Sequence, residues 1–467
     1  MKETRKKLIL WLISFMTTIC LFSFTAQAQD TSSEISDSAE TNTYVFMSEE
    51  STIVQTGGIA GVHWIYSIEG LLQLTLDPNT GTASFVHIDA NATDDSTFQR
   101  TLDPNEVFNM TSLAGTFIDD TTISFTGKAK DDSDVLITVT IDDDLLYLVG
   151  ETTPPPNSAD FFLFSLDAIA RRKYGGGTGR PNDPYLIYTA EQMNVIGLYE
   201  QDWAKHFRLM TDIDLSDYKG TDYNIIGYWV GLDSPENRPF RGVFDGNGHT
   251  ISNFTYTCTD VNCIGLFGYI EAPEAAIRGL GLIDPNIDAG TEGWGIGSLA
   301  GYLREGAITD CYVEGGSVSG NEEVGGLLGI NWECAITNCY STSIVSGNED
   351  VGGLAGDNVG TITNCYSTGS VSGDEWVGGL VGFNWGTITN CYSTGLVEGA
   401  VDVGGLVGYG GGAIASFWDI ETSGQLISAG GIGKTTAEMQ MANTFVGWSF
   451  GLVWTIDEGK DYPRLWW

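Results

Sequence analysis

Residues Val351–Trp376 read VGGLAGDNVGTITNCYSTGSVSGDEW, and Val377–Asp402 read VGGLVGFNWGTITNCYSTGLVEGAVD. The two copies are 26 residues long, and the copies that begin at Val324 and Ile296 have 27 and 28. A further start, VGGLVGYGGG at Val403, runs into different sequence. A unit this short, with no helix-period stretch, cannot bury its apolar side chains alone. Stacked on its neighbours it can, so the period predicts a solenoid. Leu354, Ile362, Cys365 and Val371 recur as apolar points between Gly, Thr, Ser and Asn, which suits three short strands per turn. Equivalent residues then lie ~4.8 Å apart, the sheet spacing, and identical residues become ladders. Asp310, Asn338, Asn364 and Asn390 predict one amide ladder, and Asn331, Asn358 and Asn384 another. Cys311, Cys339, Cys365 and Cys391 predict a third, of buried thiols, with disulfides between alternate pairs as the other reading. Cys334 and Cys258 stand outside it and are the least constrained.

The tetrads Gly265-Leu-Phe-Gly268, Gly326-Leu-Leu-Gly329, Gly353-Leu-Ala-Gly356, Gly379-Leu-Val-Gly382 and Gly405-Leu-Val-Gly408 resemble the Glug motif of bacterial surface and secreted proteins. Ser298-Leu-Ala-Gly301 departs from it at the first glycine. The stretches GGGTGRPNDPYLIYTAEQMNVIG, FDGNGHTISN and DYPRLWW also resemble large exported bacterial proteins carrying this repeat, so the likeness covers about residues 175–467. It implies a right-handed parallel β-helix and surface or extracellular work, and it implies no reaction. The motif also occurs beside immunoglobulin-cleaving metallopeptidases, but their H-E-x-x-H zinc pair is absent here. The four histidines, His63, His87, His206 and His249, cannot assemble one.

Working outward, Lys2, Arg5, Lys6 and Lys7 precede an apolar run, Leu8 to Phe24, and Ala26-Gln27-Ala28 offers a cleavage site. Residues 1–28 therefore read as a signal peptide. No later run approaches the ~20 apolar residues of a membrane helix, so the mature chain is expected to be exported and soluble. Residues 29–42 read as a disordered leader. From 43 to 170, TYVFM, GVHWIYSI, LLQLTL, ASFVHI, TISFTGKA, VLITVTI and LLYLVG alternate with turn chemistry. They predict an antiparallel β-sandwich or barrel. Pro154-Pro155-Pro156 reads as a rigid loop before a last strand, FFLFSL. Residues 171–184, RRKYGGGTGRPNDP, read as a flexible joint.

The β-helix is expected over 185–434. Thr189 and Gln192 predict a capped helix that closes its first coil. Asp245-Gly246-Asn247-Gly248 predicts a tight turn between two strands. Residues 435–467 are expected to cap the far end, with Thr435 and Glu438 as a capping box and Trp448, Trp454, Trp466 and Trp467 as cover.

With 61 acidic and 21 basic residues the formal net charge is −40, which repels phosphate backbones and disfavours nucleic acid as a partner. Between Glu305 and Gly433 there is no Lys, Arg or His, so the strict coils lack the base a polysaccharide lyase needs. Glu322-Glu323, Glu349-Asp350, Asp374-Glu375 and Asp402 mark one acidic corner, read as a solvated turn, with Ca²⁺ as the alternative occupant. Trp332 and Trp385, with Val359 between them, share a corner that, if exposed, is a platform for a glycan or a partner protein. The expectation is a non-catalytic secreted or cell-surface protein for adhesion, glycan or protein binding, or spacing, with no cofactor. The rival is a polysaccharide hydrolase using carboxylates in the irregular coils, 205–290, where Asp212, Asp214, Asp245 and His249 depart from the repeat.

Overall fold

The structure, a computed structural model, describes residues 42–467 except 58–61, 78–81, 95–100, 103–106, 110–112, 119–121, 143–144, 155–161, 233 and 260. The signal peptide, nearly all of the leader and most of the proline loop lie outside the described residues. The first architecture is antiparallel. Its strands are β1 (Asn42–Gly57), β2 (Val62–Asp77), β3 (Thr82–Asp94), β4 (Thr101–Leu102), β5 (Ala114–Phe117), β6 (Thr122–Lys128), β7 (Asp134–Asp142), β8 (Leu145–Thr153) and β9 (Phe162–Arg172). GVHWIYSI and LLQLTL are one strand, β2, rather than two. From β5 the chain meanders to β9, which pairs with β1; β1 pairs with β2, β2 with β3, and β3 back to β5. The pairing closes on itself, so of sandwich and barrel the barrel is formed. Period-2 alternation sets its inside: Ile123, Phe125, Val135, Ile137, Val139 and Leu148 are buried.

After β9 the strands of the coils run parallel in a solenoid of about 6 turns, and among the described strands that follow β9 only the short pair Trp454–Thr455 and Arg464–Leu465 in the tail is antiparallel. The coil that starts at Glu349 shows the plan. Glu349–Gly352 lies on a short face, Ala355–Asn358 and Thr361–Thr363 on a broad face, Tyr366–Ser367 on a third and Val371–Ser372 on a fourth. The coil is cut finer than the three strands expected, because a glycine or left-handed residue breaks it at each corner. Val351, Leu354, Ile362, Cys365 and Val371 and their equivalents point inward and are almost wholly buried.

The ladders form in register. In the buried one, Asn331 Nδ2 donates to Asn358 Oδ1 (2.7 Å) and Asn358 Nδ2 to Asn384 Oδ1 (2.6 Å). In the other, Asn338 donates to Asp310 (2.9 Å), Asn364 to Asn338 (3.1 Å) and Asn390 to Asn364 (3.4 Å). These last four residues have φ between 53° and 55°. Asn and Asp tolerate the left-handed region better than other side chains, so each also makes a corner. All seven described cysteines are free thiols. Cys339 N donates to Cys365 Sγ and Cys365 N to Cys391 Sγ, both at 3.3 Å. Cys334 is not loosely held, as its position outside the ladder suggested; it is buried and its thiol donates to Trp332 O (3.1 Å).

The last glycine of each tetrad has a steric reason. A Cβ on Gly356 would lie 2.3 Å from the carbonyl carbon of Glu323 in the preceding coil, and one on Gly382 2.5 Å from that of Asp350. Both neighbours are backbone and cannot move aside. Gly356→Ala is therefore expected to cost about 1–3 kcal/mol or more. Gly411→Ala, where an added Cβ meets nothing within 4 Å, should stay within about 0.5 kcal/mol. Urea titration of the two variants checks the contrast.

The two ends differ from expectation. Residues read as a flexible joint are packed: Arg171 and Arg172 finish β9, and Lys173 and Tyr174 are buried. Lys173 Nζ sits 2.5 Å from Asp202 Oδ2 and 3.7 Å above the Tyr199 ring, and the Tyr174 hydroxyl donates to the same carboxylate (3.0 Å). Burial lowers the Lys173 ammonium from its usual range, and Asp202 opposes that pull. Helix α1 (Ala190–Leu198) buries Met193, Val195 and Ile196 against the first coils. Thr189 caps it by accepting from Gln192 N, but the Gln192 side chain accepts from Tyr188 N, one residue outside a regular capping box.

At the other end, Ile432–Lys434 adds one more parallel strand to the last coil, and residues 435–467 do not cover its mouth. They run along its flank. Tyr312, Tyr340, Tyr366 and Tyr392 stack face to face on the third face, with centroids 5.0, 4.7 and 5.0 Å apart. Trp467 lies on Tyr312 and Tyr340, Trp454 on Tyr366 and Tyr392, and Phe445 and Trp448 on Phe417. The tail thus follows the tyrosines back along several coils, while Trp418 and the loop 420–431 fold over the last one.

Helix α2 (Thr436–Met439) carries the full capping box of Thr435 and Glu438. The Thr435 N–H, helped by Lys434, holds the Glu438 carboxyl down at about 2, from 4.5. A depressed carboxylate stabilises the fold fully above the unfolded value and loses that contribution as pH falls through the folded one. Hydrogen exchange at the Thr435 amide, which donates to that carboxylate (2.9 Å), should therefore be protected at pH 5 and lose that protection as pH falls through about 2.

Candidate functional site

Near the start of the short face, each coil places one residue in the left-handed region. These are Cys263, Gly295, Glu323, Asp350, Trp376 and Asp402, with φ of 55°, 68°, 55°, 57°, 58° and 51°. Strand pairing skips over them: Glu322 pairs with Glu349 and Val324 with Val351. A second column runs beside the first on the broad face. Tyr269, Tyr302, Ile330, Asp357, Phe383 and Tyr409 pair in register from coil to coil. Trp376 touches both Phe383 (5.2 Å) and Tyr409 (5.3 Å).

Together the two columns make a seam along the coil. Its backbone is as regular as the rest, but its side chains are not. In the ladders the same residue recurs (Asn, Cys, Tyr, Ile or Val), because the ladder needs it. Along the seam the chemistry changes from aromatic to acidic and back to aromatic. At the early end Tyr269 is buried against Tyr302 (5.3 Å), beside an Arg304–Glu271 ion pair of 2.9 Å. In the middle Glu323, Asp350 and Asp357 are buried carboxylates. At the late end Trp376, Phe383, Trp385 and Tyr409 form one aromatic group, with Phe383 stacked on Tyr409 at 5.7 Å.

This corrects the reading of the acidic corner as a solvated turn at Glu323 and Asp350. Glu322, Glu349 and Glu375 form a ladder that Val401 ends, and the true partners of Asp350 are Glu323 and Trp376, not Asp374. Glu323 and Asp350 are buried, and Asp374 and Asp402 are exposed. The pairs on either side of the left-handed residue stay in register, so each such residue faces its counterpart in the next coil. Among the described residues no three His, Cys, Asp or Glu side chains converge to hold a metal ion. Trp332 and Trp385 do share a corner, with Val359 between them, each N–H donating to the coil before. Trp385 is 50% exposed, and Trp332 is half-buried.

The four residues of the irregular coils are each tied into a corner. Asp245 meets Arg208 (3.0 Å) and Arg278 (3.1 Å) and accepts from Asn247 N. Its turn joins two faces of the coil and not a hairpin, since the strands on either side pair only in parallel with other coils. Asp212 accepts from Thr250 N and meets His249 at 3.2 Å; Asp214 accepts from Asn253 and Ser216 N. The Thr250 N–H lowers the Asp212 carboxyl and the Asn253 amide lowers that of Asp214. Burial alone would raise Asp245, but the hydrogen bond from Arg208, with Asn247 and Arg278, more than reverses it. A glycosidase general acid needs its pKa raised, so all three shifts run the wrong way for that role.

No helix among the described residues is long and apolar enough to cross a membrane. The family model described as the GLUG motif matches residues 320–346, 347–372 and 377–397, so the strict coils are Glug repeats. Over 174 residues, 36% of this chain and 2% of the relative, the chain is 31% identical to a halomucin of Haloquadratum walsbyi. Over 188 residues, 34% of this chain and 21% of the relative, it is 35% identical to a putative Gly-rich membrane protein of Evansella cellulosilytica. The chain thus spans a small part of the length of these curated relatives. No solved structure matches it.

Proposed function

We propose that this is a non-catalytic secreted or cell-surface protein, in which the Glug solenoid is a stiff scaffold and its seam a binding face for an extracellular glycan or protein. The observation that carries the reading is the contrast between the columns. A scaffold position repeats because each ladder needs the same residue, and a position free of that demand can serve a ligand. Two further points favour binding over chemistry. The strict coils have no Lys, Arg or His, and the carboxylates of the irregular coils are lowered in pKa and held in turns. The names of the two relatives, a halomucin and a Gly-rich membrane protein, suit a surface or structural role and support carrying it to this chain.

The test is to probe the purified mature protein on a glycan array and against extracellular protein, with and without calcium, beside a reducing-sugar assay on acidic and neutral polysaccharides. Saturable binding without product release is the expected result. Release of reducing ends would make the protein a hydrolase and sink the proposal.

A further inference from the structure

The late end of the seam is open. Beside the last coil lies a cavity of about 1000 Å³, lined among others by Asn384, Trp385, Asp402, Tyr409, Gln425 and Ser428. Trp385 is 50% and Tyr409 38% exposed, although both belong to the aromatic group that Trp376 and Phe383 anchor. The tail that covers other aromatic residues lies on a different face, so it leaves these rings to solvent. Large rings fixed by neighbouring rings, beside a few polar groups, are the ingredients of a small-ligand site.

Resting on the reading of the chain as a binding protein, we propose that this cavity holds a neutral polysaccharide segment. The C–H faces of successive sugar rings would lie on Trp385 and Tyr409, and the Asp402 carboxylate would accept from their hydroxyl groups. The choice of a neutral sugar follows from charge. Asp374, Glu375, Glu398 and Asp402 lie in the last coils, with no basic residue from Glu305 through Gly433 to offset them. A uronate or sulfated chain would meet uncompensated like charge. The competing occupant is an extended peptide strand beside Tyr409 and Gly410, at the end of the last strand in its row on the broad face, since Ser428 and Ala429 already bond to Val407. Its main chain would need no aromatic platform.

The test titrates the full mature chain with cellohexaose, laminarihexaose, xylohexaose, maltohexaose and chitohexaose, and with polygalacturonate as the acidic probe, by calorimetry and tryptophan fluorescence. At least one neutral oligosaccharide should bind, polygalacturonate should not, and Trp385→Ala and Tyr409→Ala should each weaken binding tenfold or more. Asp402→Asn, which keeps the shape, should weaken it several-fold, and Trp332→Ala should leave it unchanged. Thermal melts would show that the exposed substitutions leave the fold intact. If neutral sugars bind equally well to the Trp385 and Tyr409 variants, the site is wrong while the binding role stands. If none of these sugars binds, or the cavity variants lose only a peptide or protein ligand, the glycan assignment is overturned. Silence toward every glycan and protein would overturn the binding role as well.

Discussion

Asn358→Ala should be among the most damaging single substitutions in the coil, lowering stability by about 2–6 kcal/mol. Asn358 is fully buried, accepting from Asn331 and donating to Asn384. Removing its amide leaves a donor on one side and an acceptor on the other without partners. Each such buried group costs about 1–3 kcal/mol, because no water can reach it. Asn364 offers the contrast. It belongs to the other amide ladder, is only half-buried, and its neighbours can turn to solvent. Asn364→Ala should cost about 1–2 kcal/mol, mainly because alanine tolerates φ 54° less well than asparagine, whose short polar side chain can bond locally. Urea unfolding of both variants decides this. Equal losses would mean that the buried ladder is not what holds the coils in register.

Trp454→Ala should free the tail from the flank. Trp454 is fully buried, 4.4 Å from Trp448 and 6.1 Å from both Tyr366 and Tyr392. Truncating a buried Trp costs about 3–5 kcal/mol through lost burial and the cavity left behind. Here the loss falls on a segment held by one small aromatic cluster, so the segment should open before the coil does. Limited proteolysis should cut within residues 435–467 and leave the repeats intact. Trp454→Phe should cost far less, because the indole N–H has no hydrogen-bond partner to lose. A single cooperative loss of the whole solenoid would show that the tail is integral to the coils.

The coil was legible because its evidence is local and repeated: the period sets the fold, and identical residues at that period become ladders. What escaped the sequence depended on half-steps or on distant partners. Asp350 and Asp374 both look like turn acids until strand pairing is known. In-register pairing of the residues on either side sets Trp376 opposite Asp350, and Glu323 and Asp350 are buried although composition assigns them to solvent. The seam left a signal nonetheless, since Tyr302, Ile330, Asp357, Phe383 and Tyr409 occupy one repeat position with different residues. So did the tyrosine stack. In Asn-Cys-Tyr-Ser a buried cysteine turns the next side chain outward, and four outward tyrosines at coil spacing need cover. Nothing short-range says that the tail provides it. Lys173 escaped in the same way, because its partner Asp202 comes 29 residues later and a glycine-rich joint hides the contact.

The tail on the flank changes how the solenoid should respond to force. A bare stack of repeats couples only neighbours, so a pull on one end can peel coils away singly. Trp467 rests near Tyr312 while Trp448 rests on Phe417, so one segment braces coils that do not touch each other. Tension applied through the last coils must then shear the whole aromatic splint before the first coil unzips. Single-molecule extension would register that as one high rupture peak in place of a staircase of small ones.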